Sequence, residues 1–297
     1  MVGYREIAPA RPVADLLECA WQSRTDAPHV QRVLPDGCMD LLVLGADAPG
    51  TRLVVAGPDT AAHLSSDAAG AVTTGLRFRP GALPALLGVP AEELRDTRTD
   101  LDAVLTGAVA RTVRALTTAR SLSGPGGAGG SSGAGGSDEG HIGAPRSPLD
   151  DAAVPLAPRD PALAVLLEVA AALRAGADEG TGRPLPAPLP PAALRALARG
   201  MAAGELADRL GVTSRTVHRR CVSTLGYGPA LARRVLRFRR ASALLFDGVP
   251  PAQVAARTGY ADQPHLSREI RALAGVSPTA LTAGHDLADR SSTAQPG

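Results

Sequence analysis

A chain of 297 residues that is 44% hydrophobic and 20% charged is long enough for two domains and too apolar for disorder from end to end. Its net charge of +2 hides a segregation: residues 1–160 sum to −5 and residues 192–284 to +9, and every basic residue is Arg. Three separated cysteines with no CxxC pair, no apolar run of about 18 residues and no apolar signal core argue against a disulfide scaffold, a zinc knuckle, a membrane span and export, so a cytoplasmic protein without metal or cofactor is expected.

Apolar runs at 40–44, 52–56 and 73–78, bounded by Pro-Asp-Gly, Gly-Pro-Asp and Arg-Pro-Gly, predict strands with turns. Strand alternation sends Arg77 and Arg79 to the face opposite Phe78, where they read as surface residues. Helices are predicted over 82–88 and 101–119, the second from Leu101, Val104, Leu105, Val109, Val113 and Leu116. Cys38, between Asp36 and Asp40, reads first as a turn or packed thiol. A sharper reading makes it a nucleophile or acceptor, with His29 or His63 as a distant partner, and the chain a DNA-repair or DNA-modifying enzyme. No HxH, HExxH, GxSxG or phosphate-loop pattern anchors such chemistry, so a non-enzyme is expected.

Residues 123–140 are half glycine and read as a flexible tether, spanning about 23 Å as a random coil and leaving the interdomain geometry free. Asp160-Pro161 supplies an N-cap and a first-turn proline for a helix through Leu163, Leu166, Leu167, Ala170 and Leu173, which Gly176 is expected to end.

From Ala192 onward the pattern is helical. Leu206, Ala207 and Leu210 form the inner face of one helix, Gly211 a left-handed turn, Val212 a plug and Thr213 the cap of a second helix whose Val217 and Cys221 face inward. That leaves Arg215, His218 and Arg219 adjacent on the outer face, beside Ser214 and Thr216. Arg offers a planar donor fork for phosphate or guanine, so this cationic stripe suits the major groove, although all-Arg usage reads first as coding bias. About fifty residues later the unit recurs: Val254 and Ala255 inward, Gly259 as turn, Tyr260 as plug, Asp262 as cap. Its Gln263, His265 and Arg268 are equivalent to Ser214, Thr216 and Arg219, and Pro264 falls in the first turn. His218 and His265 read equally well as exposed polar positions or base contacts. A helix over 229–246, roughly 27 Å long, joins the units and suits recognition helices about one DNA turn, roughly 34 Å, apart. Its Arg233, Arg234, Arg237, Arg239 and Arg240 are spread around the circumference, so some must pair with Asp or Glu.

Leu206-Ala-x-x-Leu-Gly-Val-Thr-Ser-Arg215, Arg237-Phe-Arg-Arg-Ala241, Gly259-Tyr-Ala-Asp-Gln-Pro-His-Leu-Ser-Arg268 and Ala274-Gly-Val-Ser-Pro278 together resemble the AraC/XylS family of transcription regulators over residues 195–283. The resemblance implies a seven-helix domain that inserts its third and sixth helices into successive major-groove segments of double-stranded DNA. Its base-reading positions fall on Arg215, His218 and Arg219 and on Gln263, His265 and Arg268. Cys221 and Ile270 depart from the family's frequent Phe, and Pro264 from its commonly polar residue. Trp21, Val33–Leu41, Ala56-Gly-Pro58 and Gly75–Gly81 are similar to an uncharacterised leader domain found on a subset of these regulators. For that part the resemblance implies sensing of a small-molecule effector or pairing into a homodimer, with contact to RNA polymerase as the competing role.

The expected fold is α+β: a mixed small-sheet-plus-helices domain at 1–120, a linker at 121–159, a connecting helix and Pro-rich loop at 160–191, an all-α domain with two helix-turn-helix units at 192–284, and a tail at 285–297. The expected function is sequence-specific transcriptional regulation without a membrane association.

Overall fold

A computed structural model describes residues 2–7, 13–44, 52–121, 141–143, 160–178 and 185–283. Nearly all of the tether and the whole of the tail expected from the sequence lie outside the described residues.

The N-terminal part is built on a six-stranded sheet in the order β1-β2-β7-β4-β5-β8: Val2–Ile7, Leu17–Thr25, Val72–Phe78, Met39–Leu44, Arg52–Ala56 and Arg98–Asp100. Its neighbours all pair antiparallel. A smaller sheet joins β6 (His63–Asp67), β3 (His29–Val33) and β9 (His141–Gly143), with β9 parallel to β3. The three strands read from apolar runs are therefore β4, β5 and β7. The small sheet carries polar runs such as His-Leu-Ser-Ser-Asp, which lack an apolar strand signal.

Alternation along the large sheet buries Leu17, Leu41, Val43, Val55, Leu76 and Phe78 on one face. Against it pack α1 (Ala82–Leu87), α2 (Leu101–Val104), α3 (Gly107–Ser121) and α4 (Pro161–Asp178). The single helix expected over 101–119 is broken: Leu105 is extended and α3 restarts at Gly107, where φ is +66°. Leu101, Leu105 and Val113 still reach the same core, so the apolar spacing reports burial without reporting the break. Asp160 caps α4 as expected, its Oδ1 accepting the Ala162 amide at 2.9 Å. Gly176 does not end that helix; it is buried and helical, and the chain continues to Asp178.

The opposite face of the large sheet meets the small sheet, and this corrects the surface reading of Arg77. Arg77 lies opposite Phe78 as alternation demands, yet a second layer covers it, and its guanidinium is held between Asp36 and Asp40 at 3.4 and 3.3 Å.

The C-terminal part is all helical: α5 (Pro191–Ala198), α6 (Ala203–Leu210), α7 (Ser214–Leu225), α8 (Pro229–Phe246), α9 (Pro251–Thr258), α10 (Gln263–Ala274) and α11 over 278–283. One core holds Leu206, Val217, Phe238, Leu266 and Ile270, and Leu34 of the N-terminal part enters it.

The two parts pack directly, which corrects the expectation of a free interdomain geometry. Arg95 donates to the carbonyl of Gly226 at 3.2 Å, just past the end of α7. At the end of α10, Arg32 donates to Ala274 O at 3.0 Å and the Ala62 amide to Leu273 O at 2.6 Å. Glu18 binds Arg239 of α8 through both carboxylate oxygens. Shape fits at the same seam: a Cβ on Gly226 would stand 2.5 Å from Pro58. Complementary surfaces on the two parts thus fix a geometry that the linker sequence alone left open.

Candidate nucleic-acid interface

Two short stretches of local chemistry aim α7 and α10. α6 ends at Gly211 with φ +62°, the left-handed region where glycine carries no Cβ penalty. The Val212 amide then donates to Ala207 O at 3.1 Å, and Thr213 Oγ1 accepts the Thr216 amide at 3.2 Å, which caps α7. In the second unit Gly259 turns the chain at φ +78°, the Tyr260 amide donates to Ala255 O at 3.0 Å, and Asp262 Oδ1 accepts the His265 amide at 2.6 Å. Turn, plug and cap thus match position for position.

Helical period then decides what faces out. Val217 and Cys221 are buried on α7, and Leu266 and Ile270 on α10. Burial pushes the Cys221 thiol up to about 12, so it behaves as a small apolar side chain. Ser214, Arg215, His218 and Arg219 are exposed, while Thr216 is half-buried with its hydroxyl 3.0 Å from that of Thr213. On α10, Gln263 and Arg268 are exposed. His265 is half-buried: its ring stands edge-on to Tyr260 at 5.3 Å, and its Nδ1 accepts the Ala261 amide at 3.3 Å.

Four of the five spine arginines serve the scaffold. Arg234 makes a two-pronged pair with Glu269 at 3.0 and 3.1 Å, and Arg237 lies over the Tyr260 ring at 4.3 Å and within 4.0 Å of the same carboxylate. Arg240 donates to Ala198 O at 3.0 Å and thereby ties α8 to α5. Arg239 is committed to Glu18. Among the described residues, Arg215, Arg219 and Arg268 carry no ion pair, and they stand exposed on the outer faces of α7 and α10, where they can face an external anion.

The outer face of α7 opens on a groove of about 550 Å³, with Arg215, His218 and Arg219 on one wall and Pro90, Glu92, Leu185 and Pro186 on the other. Sequence reasoning missed this neighbour because nothing local in 88–95 or 185–190 points to α7.

Cys38 offers no support for an enzyme. It is buried, Arg239 Nη1 donates to its sulfur at 3.5 Å, and burial, with Asp36 beside it, holds the thiol well above its usual value. No group of His, Cys, Asp and Glu able to hold a metal occurs among the described residues, and no described helix is long and apolar enough to cross a membrane.

Residues 206–284 match the family model of a helix-turn-helix domain, and residues 5–100 match that of a domain of unknown function, DUF6597. Among solved structures, the chain is similar over 31% of its length to 88% of a probable AraC family transcriptional regulator from Rhodopseudomonas palustris, at 22% identity and a TM-score of 0.27. It is also similar over 96% of its length to 98% of ToxT from Vibrio cholerae, at 7% identity and a TM-score of 0.37. No curated protein matches the chain. With paired turn-and-cap units inside the matched segment, this is a DNA-binding transcriptional regulator. Its residues 206–284 form a domain of the helix-turn-helix family.

Proposed function

We propose that α7 and α10 enter successive major-groove segments of one duplex, and that Ser214, Arg215, Thr216, His218, Arg219, Gln263, His265 and Arg268 are the contacting residues. The observation that carries this reading is the equal presentation of two helices by Gly211–Thr213 and Gly259–Asp262 on one spine. α8 has 18 residues, about 27 Å at about 1.5 Å per residue, which suits groove segments spaced about 34 Å apart. Arg215, Arg219 and Arg268 supply charge that collects DNA through its phosphates and forks that fit guanine. Domain limits of 192–284 for DNA binding, 160–191 for the connector, 121–159 for the linker and 285–297 for the tail belong to the same proposal, as does a cytoplasmic location.

The test is binding of the full chain to a duplex selected from a random pool, followed by Arg219→Ala and Arg268→Ala. Loss confined to one base pair marks a base contact; uniform loss with a salt slope lower by about 1 marks a phosphate contact. No change from either substitution rejects the docking.

We assign residues 1–120 an effector-sensing role, with homodimer pairing and RNA polymerase contact as further roles of the same region. A cavity between its two sheets supports sensing, as do its hydrogen bonds to the C-terminal ends of both recognition helices.

A further inference from the structure

Between the large and small sheets lies a cavity of about 440 Å³, within the size range of small-molecule sites. Its floor is the inner face of the large sheet, arranged in cross-strand rows by the register. One row runs Arg77–Asp40–Ala56, the next Trp21–Gly75–Leu42–Val54, the third Tyr4–Ser23–Thr73–Leu44. Gly75 is there because Trp21 lies across it: a Cβ on Gly75 would stand 2.5 Å from the indole. Tyr4 extends this aromatic surface, its ring 5.9 Å from that of Trp21 and tilted by 34°.

Two features of this floor call for a ligand of particular chemistry. The first is charge. Asp36 and Asp40 share the single guanidinium of Arg77, whereas Asp59 is matched by Arg98 at 2.7 Å with His63 beside it. One carboxylate of the first cluster therefore lacks a cation of its own. Burial raises the Asp40 carboxyl above its usual value even with Arg77 in contact. The second is unspent hydrogen-bonding capacity. Ser23 is only 4% exposed and its Oγ has no partner among the described residues; the buried Nε1 of Trp21 has none either. An indole N–H is a donor only, so it needs an acceptor oxygen.

We infer that this cavity binds a small organic cation that also bears a hydroxyl or carbonyl oxygen. The ammonium or guanidinium group completes the Asp36–Asp40 cluster. The carbon skeleton lies on Trp21, Leu42 and Val54, where the indole face adds cation–π attraction. The oxygen accepts from Trp21 Nε1 and bonds Ser23 Oγ. An anion is disfavoured because it brings further negative charge to carboxylates that already outnumber their guanidinium. This names the ligand class of the sensing role assigned to residues 1–120 and rests on that role only for its effect on DNA binding. The wall strands supply the route for such an effect: β3 carries Val33 of the cavity and Arg32 bonded to Ala274 O, and His63 of the cavity follows Ala62, bonded to Leu273 O.

The experiment is calorimetric titration of the full chain at neutral pH with two size-matched sets of probes. One set is tyramine, 4-hydroxyphenylacetate and 4-ethylphenol; the other is 4-amino-1-butanol, 4-hydroxybutyrate and 1,5-pentanediol. The expected result is that the amine of at least one set binds about tenfold or more tightly than its acid and its neutral analogue. Asp40→Asn should weaken the amine by about tenfold and Ser23→Ala by several-fold. Leu42→Trp, which fills the cavity while keeping every charged residue, should abolish binding while the melting transition stays cooperative. Preference for an acid or neutral member, binding by none, or amine binding indifferent to Leu42→Trp overturns the inference. Anisotropy on the selected duplex separates the two ideas. Amine binding that leaves DNA affinity unchanged keeps the ligand class and refutes sensing; a DNA response to the acids alone keeps sensing and refutes the class.

Discussion

The two helix-turn-helix units share one plan and differ in what surrounds it. The first shows Arg215, His218 and Arg219 to solvent, and across a groove from them stand Pro90, Glu92 and Pro186. The second shows Gln263 and Arg268, has its His265 drawn in against Tyr260, and bonds the N-terminal part at the end of α10, at Leu273 and Ala274. Among the proposed contact residues, the first unit therefore carries two arginines without an ion pair to the second's one, and the N-terminal part forms part of its groove wall. The repeated motif keeps its scaffold chemistry and differs in its surface.

Substitutions can break that symmetry of scaffold. Ile270 is fully buried, and Ile270→Ala should cost about 2–5 kcal/mol in chemical unfolding. Cys221→Ala at the matching place removes only a sulfur and should cost less, so equal losses would contradict a smaller core under α7. On the reading faces, Arg219→Ala and Arg268→Ala are each expected to cost about 1–3 kcal/mol of binding to the selected duplex. Arg215→Ala with Arg219→Ala should steepen the loss beyond that of Gln263→Ala with Arg268→Ala, measured by anisotropy at two salt concentrations. The caps come next: Thr213→Ala and Asp262→Ala should each cost about 1 kcal/mol of stability, read from urea midpoints.

The scaffold was legible in the sequence and the contacts between the two parts were not, for one physical reason. Gly211, Thr213, Gly259 and Asp262 act through backbone angles and amides within a few residues, so their types announce their roles. The α+β class and strands β4, β5 and β7 were legible too, from apolar runs and turn residues. Arg77 misled because alternation tells which face a residue takes and never whether another layer covers it. β6 is polar because it lines the cavity and forms an edge of its sheet, and β3 carries only two apolar residues, so neither announces a strand. Pro90 and Glu92 reach α7 across more than a hundred residues, a pairing that no window on the chain contains. One signal was available for the cavity: a glycine between Thr74 and Leu76 inside a strand marks a close approach, here that of Trp21.

A smaller, acid-dependent effect sharpens the comparison from the side of the interdomain seam. Burial opposes the charge on Glu18, but the Arg239 guanidinium outweighs it and holds the carboxyl below its usual 4.5. A depressed carboxyl contributes stability that is fully present above that value and is lost as pH falls through the lower folded value. Acidification below about pH 4.5 should therefore loosen the seam before the helical part melts, seen as earlier proteolysis between the two parts. Glu18→Gln should remove most of that pH dependence.

The most direct test of the central claim is a base-by-base scan of the duplex selected by the full chain. Two blocks of specificity are predicted, about 10–10.5 base pairs apart centre to centre, with the first relaxed by Arg219→Ala and the second by Arg268→Ala. A single block lost to both substitutions, or two blocks indifferent to them, would contradict reading by two helices on one spine.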